Sequence, residues 1–322
     1  MKRIWKITAA VCLSGILLNG CGIALPPETV PPPSGEATAD TPTPPSSEAP
    51  QPIPGVTQPI PGVTQPIPGV TQPMTETTEP DTTAPEEGEG VSLMDFLQIA
   101  REPVGSTMYI WGGGWNEEDT GAGIEAVTPG ISPRWAEFAA EQDSSYDYRN
   151  HRYQIHDGLD CSGFVGWAVY NVLETESGKE GYVSKATGMA QELALRGLGE
   201  YIPAEEMTQW LPGDIMSMKG HVWISLGMCS DGSVLLLHAS PPGVIFSGTS
   251  LPDGGDSRAV ELARQIMQEH YPRWYSRYPD CSRSHSYLEK SSAMRWSDQV
   301  LQDPEGLRLL SAEEVAEQLF TP

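Results

Sequence analysis

The chain has 322 residues, with 43 acidic side chains against 19 basic ones and a formal net charge of −24. That balance argues against a protein that holds nucleic acid or an anionic lipid surface through a basic patch. Its length allows one or two folded domains, and the 30 prolines are spread unevenly along it.

Residues 1–20 read as an export signal, with Lys2, Arg3 and Lys6 ahead of an apolar run through Ile16, Leu17 and Leu18. The run is too short for a comfortable membrane span, and no later stretch approaches about 18 apolar residues. It ends in LNGC at 18–21, which resembles the cleavage box of bacterial lipoproteins. The resemblance implies that Cys21 is lipidated and becomes the new N-terminus, with two acyl chains for stable anchoring. An ordinary signal peptide with an incidental cysteine is the alternative. Lipidation would place the protein outside the cytoplasm, anchored to the bacterial cell membrane.

Residues 21–90 are rich in Pro, Thr, Glu and Gly, and from 22 onward contain no lysine, arginine or aromatic residue. The heptapeptide QPIPGVT occurs at 51–57, 58–64 and 65–71. Two prolines in every seven positions cannot build a solenoid core, so the segment reads as a disordered, polyproline-like linker. At about 3.1 Å per residue it would reach on the order of 200 Å when extended. A proline-rich recognition motif is the competing reading.

Folded structure is expected over 91–322. Ser92 and Asp95 form a capping-box pattern ahead of a helix with Leu93, Phe96, Leu97 and Ala100 on one face, and Pro103 ends it. The segment YIWGGG follows at 109–114. Residues 115–157 are polar and irregular, apart from a short helix starting at Ser132 and Pro133 with Trp135 and Phe138 on one side. An amphipathic helix is predicted after Asp160, with Phe164, Val165, Ala168, Val169 and Val172 on one face. Strands are predicted at 215–218, 221–228 and 234–239, a helix at 257–270, and a terminal helix capped by Ser311 with Glu314.

Cys12 leaves with the signal and Cys21 takes lipid, so Cys161, Cys229 and Cys281 remain as thiols. Three cysteines are no disulfide framework, though Cys229 and Cys281 could pair in an oxidising compartment. No CxxC or CxH spacing suggests a metal, and no cofactor is expected. Cys161 stands directly before an apolar helix, where unpaired N–H groups and the macrodipole favour a thiolate nucleophile. His221 begins one predicted strand and His238 ends the next. If an even-length turn around 230–232 joins them, both side chains point to one face, within about two positions of each other. One histidine can then act as base while the other holds its second ring nitrogen. The histidines at 151, 156, 270 and 285 carry no assigned role.

DCSGFV at 160–165, PGD at 212–214, HVWISLG at 221–227 and His238 resemble, in order and spacing, the NlpC/P60 family of cell-wall cysteine peptidases. Tyr109 and the glycines after it resemble that family's tyrosine segment. The likeness covers roughly 92–245. It implies a papain-like α+β fold, with the cysteine helix packed on an antiparallel sheet that bears the histidines. It implies hydrolysis of peptidoglycan stem peptides, usually between γ-D-glutamate and the following diamino acid. Cys161 would attack, His221 would exchange protons, and His238 would fix the tautomer of His221. The Cys161 N–H and the Tyr109 hydroxyl would stabilise the oxyanion, while Asp160 and Ser162 would bind the stem peptide. Tyr109 packed under the glycine loop and Asp160 as a helix cap are the plainer alternatives.

Two stretches exceed the family's minimal domain: the insertion at 115–157 and an extension at 244–322. Trp135 and Phe138 could lid the cleft, or the insertion could simply pack on the surface. Trp274, Tyr275, Tyr278, Tyr287 and Trp296 are expected to fill a core rather than to stack on sugars. A monomer is expected. An N-acetylmuramoyl-L-alanine amidase of the same thiol chemistry and a non-catalytic wall-binding protein are the competing functions.

Overall fold

The structure, a computed structural model, describes residues 90–173 and 180–321. The export signal, Cys21 and the three repeats lie outside the described residues. Among those described, no helix is long and apolar enough to cross a membrane.

Local chemistry places the first helix, α1 (Leu93–Arg101), where its cap predicts. Ser92 Oγ accepts from the Asp95 N–H, and the Asp95 carboxylate accepts in return from the Ser92 N–H. Its four predicted core residues are all buried. The insertion contributes α2 (Pro133–Glu141), with proline in its first turn. After it comes α3 (Cys161–Leu173), which departs from the amphipathic helix expected. Every residue from Cys161 to Tyr170 is buried. The reason is that α3 is covered on several sides, by α1, by the 3-10 turn Ile124–Val127 and by the sheet. A helix so enclosed is apolar all round.

Among the described residues nine strands form one sheet, and with the helices they make an α+β fold. They are β1 (Met108–Tyr109), β2 (Gly158–Leu159), β3 (Gly199–Ile202), β4 (Ile215–Met218), β5 (His221–Met228), β6 (Val234–Ser240), β7 (Gly243–Thr249), β8 (Ser282–Arg283) and β9 (Ser292–Trp296). Their order is β2-β1-β7-β6-β5-β4-β9-β3, with β8 paired to β7. Pairing is antiparallel except for β1 with β2 and β7 with β8. The segment after 244 completes the sheet, because β9 lies between β4 and β3. It also supplies α5 (Arg258–His270) against β7, α6 (Pro272–Arg277), α7 (Ser286–Lys290), and α8 (Ala312–Phe320) against β5 and α1. Between α3 and β3 lies α4 (Met189–Leu195).

The main core gathers α1, α3, α5 and α8 with one face of the sheet, including Val222, Ile224, Leu226, Leu235 and Leu237. A smaller cluster of Met216, Trp223, Val234, Leu236, Leu288 and Ala293 fills the other face beneath α7. Trp135 is fully buried, edge-on to Trp167, and so belongs to the core rather than to a lid. Trp274 and Trp296 are core residues as expected.

The β5–β6 hairpin corrects one premise about the histidines. The loop between Met228 and Val234 spans five residues, an odd number, which in a regular ladder would put His221 and His238 on opposite faces. A bulge between Ser225 and Met228 adds the compensating residue. Gly227 sits in it at φ +101°, a conformation that L side chains rarely adopt. Beyond the bulge Ile224 pairs with Leu237 and Ser225 with Leu236. That register sets Trp223 opposite His238, so His221, two residues earlier, shares its face.

Candidate active site

Glycines let three backbones converge at the start of α3. A Cβ on Gly163 would stand 2.0 Å from the Gly113 carbonyl oxygen, so the glycine of DCSG and those of YIWGGG are there for close approach. Asp160 receives Gly163 N–H (2.7 Å) and Ser162 Oγ–H (2.8 Å) on Oδ1, and Gly112 N–H (3.2 Å) on Oδ2. Ser162 Oγ in turn accepts the Trp115 indole N–H at 3.0 Å. Asp160 is thus the N-cap of α3 and the knot joining it to the glycine loop. Burial raises its pKa to about 6, against the opposing effect of these donors.

Cys161 is the first residue of α3, and its thiol feels the backbone N–H groups of Val222, Ser162 and itself. The thiolate expected at a helix start is nevertheless disfavoured. Burial, then the neighbouring Asp160 carboxylate, push the thiol up to about 12, and the N–H groups only partly offset this. Desolvation outweighs the helix terminus because Cys161 is buried with the rest of the first turns of α3.

His221 and His238 meet as the sequence suggested. His221 Nε2 lies 2.9 Å from His238 Nδ1, with the rings edge to face. His221 is partly exposed, whereas His238 is fully buried and its Nε2 lies 3.0 Å from Ser247 Oγ on β7. Burial, followed by the charge of Arg283, pushes His221 down to about 4 and His238 well below its ordinary value. The buried thiol and the His221 imidazole therefore rest as a neutral pair. Among the described residues no hydrogen bond joins Cys161 Sγ to His221. The backbone N–H of the next residue, Val222, lies close enough to favour the thiolate.

Tyr109, in β1, is nearly buried, with its ring edge-on to Tyr148 of the insertion at 5.4 Å. Burial, then Cys161 and Asp160, raise its pKa, so the phenol keeps its proton. Its backbone carbonyl accepts the Tyr146 hydroxyl at 2.6 Å. Its own hydroxyl has no protein hydrogen-bond partner among the described residues, which leaves a donor available near the thiol.

Two residues of the site had no sequence signal. Arg283 on β8 directs its Nε–H at His238 Nε2 from 3.1 Å, while its Nη1 reaches the Ser282 carbonyl (2.6 Å) and Asp280 (3.3 Å). Tyr287 on α7 packs edge-on to His221 at 5.5 Å and to His238 at 6.3 Å. The aromatic tail was read as core. Tyr287 does pack against the smaller cluster, but it also roofs the histidines.

On the insertion side, an open cleft of about 540 Å³ reaches the helix entry at Gly112 and Trp115 and is lined further by Glu117, Asp119, Arg134 and Tyr153. Cys229 and Cys281 are buried and free, not paired. Among the described residues no group of three or more His, Cys, Asp and Glu is placed to hold a metal ion. No family model matches the chain, and neither a curated protein nor a solved structure matches it.

Proposed function

We propose that residues 90–321 form a papain-like cysteine peptidase of the NlpC/P60 type, tethered outside the bacterial membrane through Cys21, that cuts peptidoglycan stem peptides. The observation that carries this reading is the 2.9 Å contact of His221 Nε2 with His238 Nδ1, on the strand whose Val222 N–H approaches the Cys161 thiol. A hydrogen-bonded imidazole pair with one buried and one partly exposed member, beside a cysteine at a helix start, suits acyl transfer.

In this mechanism Cys161 Sγ attacks the scissile carbonyl as its proton passes to His221. With thiol and imidazole both resting neutral, the proton moves during attack rather than before it. The Cys161 N–H and the Tyr109 hydroxyl receive the developing oxyanion. His221 then protonates the leaving amine, and water repeats the sequence on the thioester to release the acid. Asp160 and Ser162 are buried and joined to each other, and they act on the stem peptide in this reading through Gly112 and Trp115, which they hold by hydrogen bonds and which line the cleft. The bond between γ-D-glutamate and the diamino acid is the proposed target.

Digestion of defined muropeptides, with mass analysis of the products, tests the reading. Wild-type protein should release the dipeptide end of the stem, and Cys161→Ala should release nothing. Complete stems freed from disaccharide would replace the proposal with an amidase. Equal activity in wild type and C161A would remove the cysteine mechanism altogether.

A further inference from the structure

We propose that Arg283 is a positioning residue that dictates where the protons sit in the His221–His238 pair, and that while it is engaged His221 cannot accept the thiol proton. The consequence for catalysis rests on the peptidase reading above; the proton assignment does not. A guanidinium has only donors. Since Arg283 Nε–H points at His238 Nε2 from 3.1 Å, that nitrogen must present its lone pair. The proton of neutral His238 then sits on Nδ1 and is donated across 2.9 Å to His221 Nε2. Neutral His221 must therefore carry its own proton on Nδ1, the one ring nitrogen left to serve the thiol.

Uptake of a proton at His221 Nδ1 needs the opposite arrangement. His221 Nε2–H would donate to His238 Nδ1, and His238 would hold its proton on Nε2, where Ser247 Oγ at 3.0 Å can accept it. Two N–H groups cannot face each other, so Arg283 has to turn away first. Adding a second proton to His238 instead would put two cations side by side in a fully buried position. The other titratable groups facing the pair are Tyr287 on α7 and Cys161 on α3, with Asp160 beyond the thiol. Neither Tyr287 nor Cys161 is charged at neutral pH. Arg283 has an alternative partner already in place, because exposed Asp280 holds its Nη1 at 3.3 Å.

Histidine-selective 15N NMR of the full chain reads the tautomers directly. Wild type should show His238 protonated on Nδ1 with a bare Nε2, and His221 protonated on Nδ1; the reverse pattern overturns the proposal. In Arg283→Met, His238 should move its proton to Nε2, and alkylation of Cys161 by iodoacetamide at neutral pH should accelerate about tenfold, the equivalent of one unit of thiol pKa. R283K, which keeps a donor, should stay near wild type. Unchanged tautomers and an unchanged alkylation pH profile in R283M would mean a merely structural arginine. If R283M does not fold, the wild-type spectrum alone decides. Neither readout uses peptidoglycan, so a chain inert on cell wall would refute the peptidase reading without touching the proton assignment.

Discussion

Asp160→Asn separates the charge of the helix cap from its hydrogen bonds. The Asn oxygen can keep the bonds from Gly163 N–H and Ser162 Oγ, while its amide replaces Oδ2 and meets Gly112 N–H donor to donor. The neutral, protonated aspartic acid escapes this conflict, because its hydroxyl oxygen still accepts from Gly112, so at pH 4 the variant should be less stable than wild type by about 1–3 kcal/mol, the cost of a buried donor left unpaired. The charge decides what happens above that pH. The Asp160 pKa rises from 3.8 in the unfolded chain to about 6 in the fold. A raised carboxyl pKa contributes stability that is full below the unfolded value and is lost as pH climbs through the folded value. Some two units correspond to about 3 kcal/mol, lost by the wild type between pH 4 and pH 7 and not by the variant. Other titrating groups are common to both proteins and cancel in the difference. Guanidinium midpoints measured from pH 4 to pH 8 should therefore show D160N gaining about 3 kcal/mol on wild type, a change of roughly 6–12 °C in the difference between their melting temperatures. Because the carboxylate also holds the Cys161 thiol up, alkylation of D160N should be faster at every pH above 6. A stability difference that does not change with pH, or slower alkylation, would refute the assignment of Asp160 as a buried, costly charge.

Two further substitutions address the donor and the hairpin. Tyr109→Phe should lower kcat on muropeptides about 10²–10³-fold if the hydroxyl meets the oxyanion, and leave the melting temperature unchanged, since that hydroxyl has no protein partner among the described residues. Gly227→Val forces a β-branched side chain to φ +101° with its Cβ 3.2 Å from Pro212 Cγ. The strain should cost about 1–3 kcal/mol, seen as a fall of several degrees in a thermal melt.

Features fixed by a few neighbouring residues were legible without the fold. The capping boxes at Ser92 and Ser311 span four residues each and form as expected. The α+β class was legible because strand alternation around 215–239 and the helical faces at 93–100 and 258–267 are strong periodic signals. The shared face of His221 and His238 was legible for an incomplete reason. An odd loop and a bulge cancel, and only Gly227 hinted at the bulge. α3 carries apolar residues such as Trp167 off its predicted face, but what covers that side lies in distant segments and could not be read from the helix itself. Arg283 was out of reach for the same cause. It arrives beside His238 through the parallel pairing of Thr249 with Arg283 on β7 and β8, a contact between segments whose sequences show no common pattern.

The position of β9 has a consequence for when the molecule becomes itself. Among the described residues β3 pairs only with β9, and β4 reaches β3 only through it, yet Ser292–Trp296 lies well beyond His238 in the sequence. During synthesis Cys161 and both histidines emerge well before the strand that closes their sheet. Such long-range pairings are slow to form, because the loops between them must be closed before the contacts repay the entropy. The growing chain thus carries a cysteine and two histidines but no finished framework to aim them. Whatever chemistry the cluster performs on a finished framework therefore waits for residues 292–296, not merely for the cysteine and the histidines themselves.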